Sequence, residues 1–192
     1  VRSGWRIALG LVVLSVIPLV AGGLRILELA GGPELRPPDP RFVATPIALI
    51  AHIAGSAVFA LVGVLQFLPR FRRAHRTWHR RAGRALLATG LIVAGSALWL
   101  TVFYQPQPGT GALLYGFRLI FAAAMLVSLT LGLAAIRRGE IASHRAWVTR
   151  AYAIGLGAGT QVFTEGLAEA ALGGSVLVGD LAKGAGWLIN LL

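Results

Sequence analysis

The stretch Ile47-Ala-Leu-Ile-Ala-His-Ile-Ala-Gly-Ser-Ala-Val-Phe-Ala-Leu-Val-Gly-Val-Leu-Gln-Phe-Leu68 decides how this chain folds. It contains one ionisable side chain, His52, and no proline. A hydrocarbon layer about 30 Å thick needs about 20 apolar residues per helix. With no water to satisfy the backbone, such a run has to be helical. The next residues are equally informative. Pro69 ends the run, and Arg70-Phe-Arg-Arg-Ala-His-Arg-Thr-Trp-His-Arg-Arg-Ala-Gly-Arg84 places seven arginines and two histidines in fifteen residues. An apolar span that stops at a dense cationic loop marks a membrane helix reaching the cytoplasm.

On either side the same alternation recurs. Apolar spans are predicted at about 7–27, 47–68, 85–104, 112–136, 146–172 and 176–192. Pro18 interrupts the first, which membrane helices tolerate. This run passes straight into Arg25 and Glu28, so it reads as an anchor rather than a signal peptide. Between spans one and two, residues 31–46 hold five prolines and mixed charge, a loop. The turn Gln105-Pro-Gln-Pro-Gly-Thr-Gly111 is uncharged, whereas Arg137-Arg-Gly-Glu-Ile-Ala-Ser-His-Arg-Ala-Trp-Val-Thr-Arg150 is a second basic loop. Gly173 and Gly174 give a short turn before span six, which carries Asp180 and Lys183. Arg2, Arg6 and the two basic loops hold 13 of the 18 Lys and Arg residues. The expectation is an all-α, polytopic transmembrane bundle, a single domain of about six spans with N-terminus and C-terminus cytoplasmic.

Composition agrees. The chain has 192 residues, 56% of them hydrophobic and 13% charged, against about 25% charged in a soluble domain. Mean hydropathy is +0.74. The net charge of +11 lies between apolar runs, so topology explains it better than nucleic acid does. With no cysteine there is no disulfide framework and no thiolate chemistry. No Walker, dinucleotide, Gly-x-Ser-x-Gly or His-Glu-x-x-His motif occurs, so nucleotide-driven pumping and zinc proteolysis are not indicated. Gly55, Ser56, Gly63, Gly90, Gly95, Ser96, Gly155, Gly157 and Gly159 lie inside spans, where small residues let helix backbones approach closely.

Two groups of residues could carry chemistry. The first is a buried polar layer on the side away from the basic loops. His52, Arg118, Glu165 and Asp180, on four helices, fall roughly 6–11 Å below that boundary at 1.5 Å rise per residue. Gln161, Glu165 and Glu169 share one helical face. Charges in a bilayer turn inward, pair, and often mark a site. The readings are an internal tie from Arg118 to Glu165 or Asp180, a ligand or proton pocket, or a metal bound by His52 with Glu165, Glu169 or Asp180. No specific metal signature is present.

The second group is cytoplasmic. His79-Arg80 and His144-Arg145 both stand at inner span entrances, with His75 four residues before His79. Two histidines from different helices suit a haem b iron, with Arg80, Arg84 and Arg145 for propionates. The plainer reading is interfacial: these pairs contact anionic lipid headgroups, and Trp78 and Trp147 sit in the headgroup belt. His52 is 23 residues from His75, about 35 Å along a helix, so the two groups are separate.

Several of these segments carry a family likeness. His52-Ile-Ala-Gly-Ser56, Gly63-Val-Leu-Gln-Phe67, His75-Arg-Thr-Trp-His-Arg-Arg-Ala-Gly-Arg84, Arg118, Ala135-Ile-Arg-Arg-Gly-Glu140 and His144-Arg-Ala-Trp-Val-Thr-Arg-Ala-Tyr152 are the residues that carry it. Together they resemble the bacterial membrane-protein family known as domain of unknown function 2306. The chain departs from that pattern at Val148 and Val162. The resemblance implies multi-pass topology and supplies no activity. A weaker likeness, to di-haem membrane cytochromes, rests on His79-Arg-Arg-Ala-Gly83; those proteins pair histidines near both membrane faces, and here no second histidine accompanies His52.

The expected function is a non-enzymatic accessory subunit of a membrane complex, or a ligand-binding bundle, in the bacterial cytoplasmic membrane. Its expected partners are the bilayer, anionic headgroups at the basic loops, and other membrane subunits. The alternatives are a haem- or quinone-linked redox protein and a small-solute or proton-coupled transporter.

Overall fold

A computed structural model describes residues 3–35, 37, 39–43 and 45–192. Arg2, which contributes to the orientation count, and Arg36 lie outside the described residues. All regular structure among the described residues is helical. The helices are α1 (Ser3–Leu29), α2 (Ile47–Gln66), α3 (Pro69–Ala74), α4 (Arg76–Phe103), α5 (Ala112–Arg137), α6 (Ile141–Gly155), α7 (Gly157–Leu172) and α8 (Val176–Leu191), with one 3-10 turn at Pro40–Phe42.

Among the described residues, four helices are long and apolar enough to cross a membrane: α1 from Gly4, α2, α4 and α5, at 26, 20, 28 and 26 residues. The single helix expected over 146–172 is divided at Leu156. Glycines flank the break on both sides, and glycine is a poor residue inside a helix. The segment from Ile141 to Leu172 therefore consists of helices of 15 and 16 residues. The 16 residues of α8 rise about 24 Å, less than the hydrocarbon thickness. The basic loop also differs from an extended connection. Pro69 starts the short helix α3, and α4 begins within the cationic run at Arg76, nine residues before the apolar stretch.

Helices near in sequence pack against each other, α2 on α4 across the short α3, α5 on α6 and α7 on α8. Lipid tails are as apolar as leucine, so close backbone approach rather than water exclusion drives this packing. The glycines show it. A Cβ on Gly63 would enter the Tyr152 ring, and one on Gly90 would stand 2.8 Å from Phe59 and 2.9 Å from Leu129. Gly155 faces the same Phe59 ring. Gly95, by contrast, faces open space. At the centre Phe59, Leu86, Val93, Phe121, Met125, Leu129, Tyr152 and Ile154 form one continuous buried cluster. Leucine, isoleucine, valine and phenylalanine cover much of the outer surface, as on Ile7, Val13, Val20, Val102, Ile120 and Phe163.

Gly4 of α1 meets Pro69 and Leu68, so the start of α1 lies beside the first basic loop. The opposite end carries the turn 105–111 and the loop before α2, joined where Arg41 donates to the Gln105 carbonyl at 3.3 Å. These are called the basic end and the turn end.

Candidate functional site

Among the described residues, one large cavity opens toward each end of the bundle, and no residue lines both. The basic-end cavity is about 1170 Å³. Its floor is apolar, with Phe59, Leu86, Leu129 and Tyr152; its rim carries Arg72, Arg80, Arg81, Arg84 and Arg145. His79 from α4 and His144 from α6 both line it. Helix starts within cationic sequence put these side chains on the wall. His79 Nδ1 donates to the Gln66 side-chain oxygen, and His144 Nδ1 donates to the Gly132 carbonyl at 2.8 Å. With Nδ1 as donor, each neutral imidazole keeps Nε2 as its unprotonated nitrogen. Gln66 Nε2 is buried with no hydrogen-bond partner. Such orphaned donors are rare in native proteins and call for an explanation.

Of the residues read from the basic loops, His79, His144, Arg80, Arg84 and Arg145 meet here. His75 does not. It sits at the junction of α3 and α4, exposed, its ring 4.5 Å from that of Phe71 and its Nδ1 donating to the Phe71 carbonyl. Although His75 is four residues before His79, it falls at the α3–α4 junction and shares no helical face with it. Nearby, Arg150 lies over the Trp147 ring at 4.9 Å, a cation–π contact. Arg138 and Glu140 pair at the exposed turn, which holds the Glu140 carboxyl below its ordinary range.

The turn-end cavity is about 690 Å³. Arg41, Tyr104, Gln105, Gln107 and Thr110 line its outer part, and Phe121, Met125 and Trp187 line its apolar part. Three residues of the expected polar layer face it: His52, Arg118 and Gln161. His52 Nδ1 donates to the Val93 carbonyl at 3.1 Å and lies the same distance from Ser96 Oγ. Gln161 Nε2 donates to the Lys183 carbonyl at 3.0 Å.

The acidic members of that layer are engaged elsewhere. Asp180, 2% exposed, accepts the backbone N–H groups of Gly111 and Leu114 at 3.0–3.1 Å and so caps α5. Glu165 pairs with Lys183 across α7 and α8, and Glu169 is exposed. The expected tie from Arg118 to Glu165 or Asp180 is not formed; Arg118 makes no ion pair among the described residues. No group of three or more His, Asp or Glu is gathered as a metal site among the described residues. At the rim Arg41 holds Asp39 by two guanidinium hydrogen bonds, at 2.6 and 2.8 Å, and one from its backbone N–H at 3.2 Å, and keeps its carboxyl below the ordinary range.

Sequence reading missed several wall residues. Gln66, Arg72 and Tyr152 belong to the basic-end cavity, and Arg41, Tyr115 and Trp187 to the other. Gln66 did offer a signal, as a polar residue at the end of an otherwise apolar span. Trp187 shares a face of span six with Asp180 and Lys183 in the sequence, but only the fold brings its ring onto Phe121, stacked at 4.7 Å.

No solved structure and no curated protein matches the chain. A family profile described as "Predicted membrane protein (DUF2306)" matches residues 49–192, which takes in both cavities' histidines and arginines from α2 onward. The chain belongs to this DUF2306 family of predicted membrane proteins.

Proposed function

We propose that this protein is a non-enzymatic ligand-binding bundle of the bacterial cytoplasmic membrane, holding an amphipathic anion in its basic-end cavity. The observation that carries this is the wall itself. Two anchored imidazoles, the orphaned Gln66 amide and an arginine rim surround an apolar floor. An acceptor atom on the ligand would satisfy Gln66 Nε2, and its negative charge would answer the arginines. At about 1170 Å³ the cavity is somewhat larger than the usual small-molecule and cofactor pocket of about 300–1,000 Å³, which leaves room for an acyl chain or a macrocycle. In the membrane, the chain crosses six times, on α1, α2, α4, α5, α6 with α7, and α8. Both termini face the cytoplasm, a reading supported by the 13 cations of the N-terminus and basic loops. Lipid extraction of protein purified in mild detergent tests the function. A retained anionic amphiphile, depleted in Arg80→Ala/Arg84→Ala, is the expected result. An empty extract, with no stabilisation by added anionic lipid, would overturn it.

A second reading is favoured by the imidazoles: the anion is haem b and the protein a redox carrier. His79 and His144 would hold the iron through Nε2, since Nδ1 of each is spent on a protein oxygen. Arg80, Arg84 and Arg145 would take the propionates. The group would supply one-electron chemistry. A visible spectrum of the purified protein decides between the readings: a Soret band lost in His79→Ala and His144→Ala supports haem, and a colourless preparation sinks it.

A further inference from the structure

All seven carboxylates of this chain have places, and none is left for Arg118. Glu28 pairs with Arg25, Asp39 with Arg41, Glu140 with Arg138 and Glu165 with Lys183. Asp180 is taken up by the amides at the start of α5. Glu34 and Glu169 are exposed and line neither cavity. Arg118 is nevertheless a permanent cation, seven residues into a helix apolar enough to cross a membrane. Such a charge is costly unless something answers it. Its guanidinium opens on the turn-end cavity, which no acidic side chain lines. Asp180 attracts it from a distance, while Arg41 at the rim repels it.

We infer that the turn-end cavity binds an amphipathic monoanion, its oxyanion on Arg118 and its apolar body against the stacked Phe121 and Trp187 rings. Phe121 lies one turn beyond Arg118 on α5, so head and body sites adjoin. The His52 Nε2, with Nδ1 committed to Val93, gives a second polar atom on the wall. A volume of about 690 Å³ is ample for a single-chain or ring-bearing acid. The oxyanion has two sources, a free carboxylic acid or a lipid phosphate. This site shares no residue with the basic-end cavity, so the two assignments stand or fall separately.

Saturable binding of labelled octanoate tests the inference, with the protein in phosphatidylcholine nanodiscs and empty nanodiscs as background. The expected result is binding that Arg118→Gln weakens at least about tenfold and that octanol does not compete. The measurement is made in an Arg80→Ala/Arg84→Ala background, so that an amphiphile held at the basic-end cavity does not contribute. Adding phosphatidylglycerol separates the sources: competition assigns the site to a lipid phosphate, and no competition to a free acid. Should Arg118→Gln fail to fold, Ala97→Phe keeps the cation and fills the cavity, and it should abolish binding. Equal affinity in Arg118→Gln or Ala97→Phe, or equal competition by octanol, would overturn the proposal. So would the absence of saturable binding of both octanoate and phosphatidylglycerol.

Discussion

The carboxylate of Asp180 accepts the backbone N–H of Gly111, 69 residues earlier in the chain, and thereby fastens α8 to the start of α5. Leu114 donates to the same carboxylate at 3.1 Å. The side chain is buried, and the first amides of α5 have no partner within their own helix. Asp180→Ala should cost about 1–3 kcal/mol, with Asp180→Asn retaining part of it. Thermal unfolding in detergent measures both. Equal stability of wild type and Asp180→Ala would show that the cap contributes nothing.

Tyr152 makes a second long-range tie. Its hydroxyl donates to the Ala60 carbonyl at 2.7 Å while its ring lies against the backbone at Gly63. Tyr152→Phe should lose about 1 kcal/mol, the worth of one hydrogen bond. Gly63→Val should lose more, because the ring has to leave. Equal losses in the two variants would mean that the close approach is not tight.

The Glu165–Lys183 pair joins α7 to α8, with side-chain exposures of 43% and 18%. Partial exposure keeps its worth small, roughly 0–1 kcal/mol. A double-mutant cycle on Glu165→Gln and Lys183→Met should therefore return a coupling in that range. A coupling of several kcal/mol would mean that the pair is shielded from water far better than its exposure implies.

Acid should loosen the rim of the turn end. Arg41 lowers the Asp39 carboxyl below 3.8, so its contribution is present above the ordinary carboxylate value and is lost as pH falls through the lowered one. Arg41 also donates to Gln105, so its release frees the turn 105–111. Hydrogen exchange at residues 39–43 and 105–111 should accelerate below about pH 4, and Asp39→Asn should show the fast rate already at neutral pH. A pH-independent rate in the wild type contradicts the clamp.

Because the chain has no cysteine, single cysteines report sidedness cleanly. Pro108 and Ser143 are exposed and lie beyond opposite ends of α5. In sealed cells Pro108→Cys should react with an impermeant maleimide, and Ser143→Cys should react only after lysis. The reverse pattern would invert the proposed orientation.

How much of the fold is legible in the sequence depends on the kind of force involved. Apolar runs and charge counts report solvent preference, which is local, so α1, α2, α4 and α5 are readable, with boundaries off mainly at α4. Helix continuity through Gly155-Leu156-Gly157 is not, because apolar sequence around glycine fits a straight or a divided helix equally. The polar layer is legible as depth but not as pairing. Depth follows from residue rise; which carboxylate meets which cation depends on helix rotation. Thus Asp180 reads in the sequence as a charge near Arg118 and serves in the structure as an α5 cap. The same applies to the glycines: Gly63 and Gly95 look alike in sequence, yet only one faces a neighbour.

The buried cluster around Phe59, Met125 and Tyr152 has an electrical consequence. Phe59, Leu129 and Tyr152 close the basic-end cavity, and Ala60, Val93 and Met125 close the other. The two vestibules share no lining residue, and an aromatic and aliphatic partition stands between them. If both hold ligands as proposed, water filling either one would still form no continuous wire across the membrane.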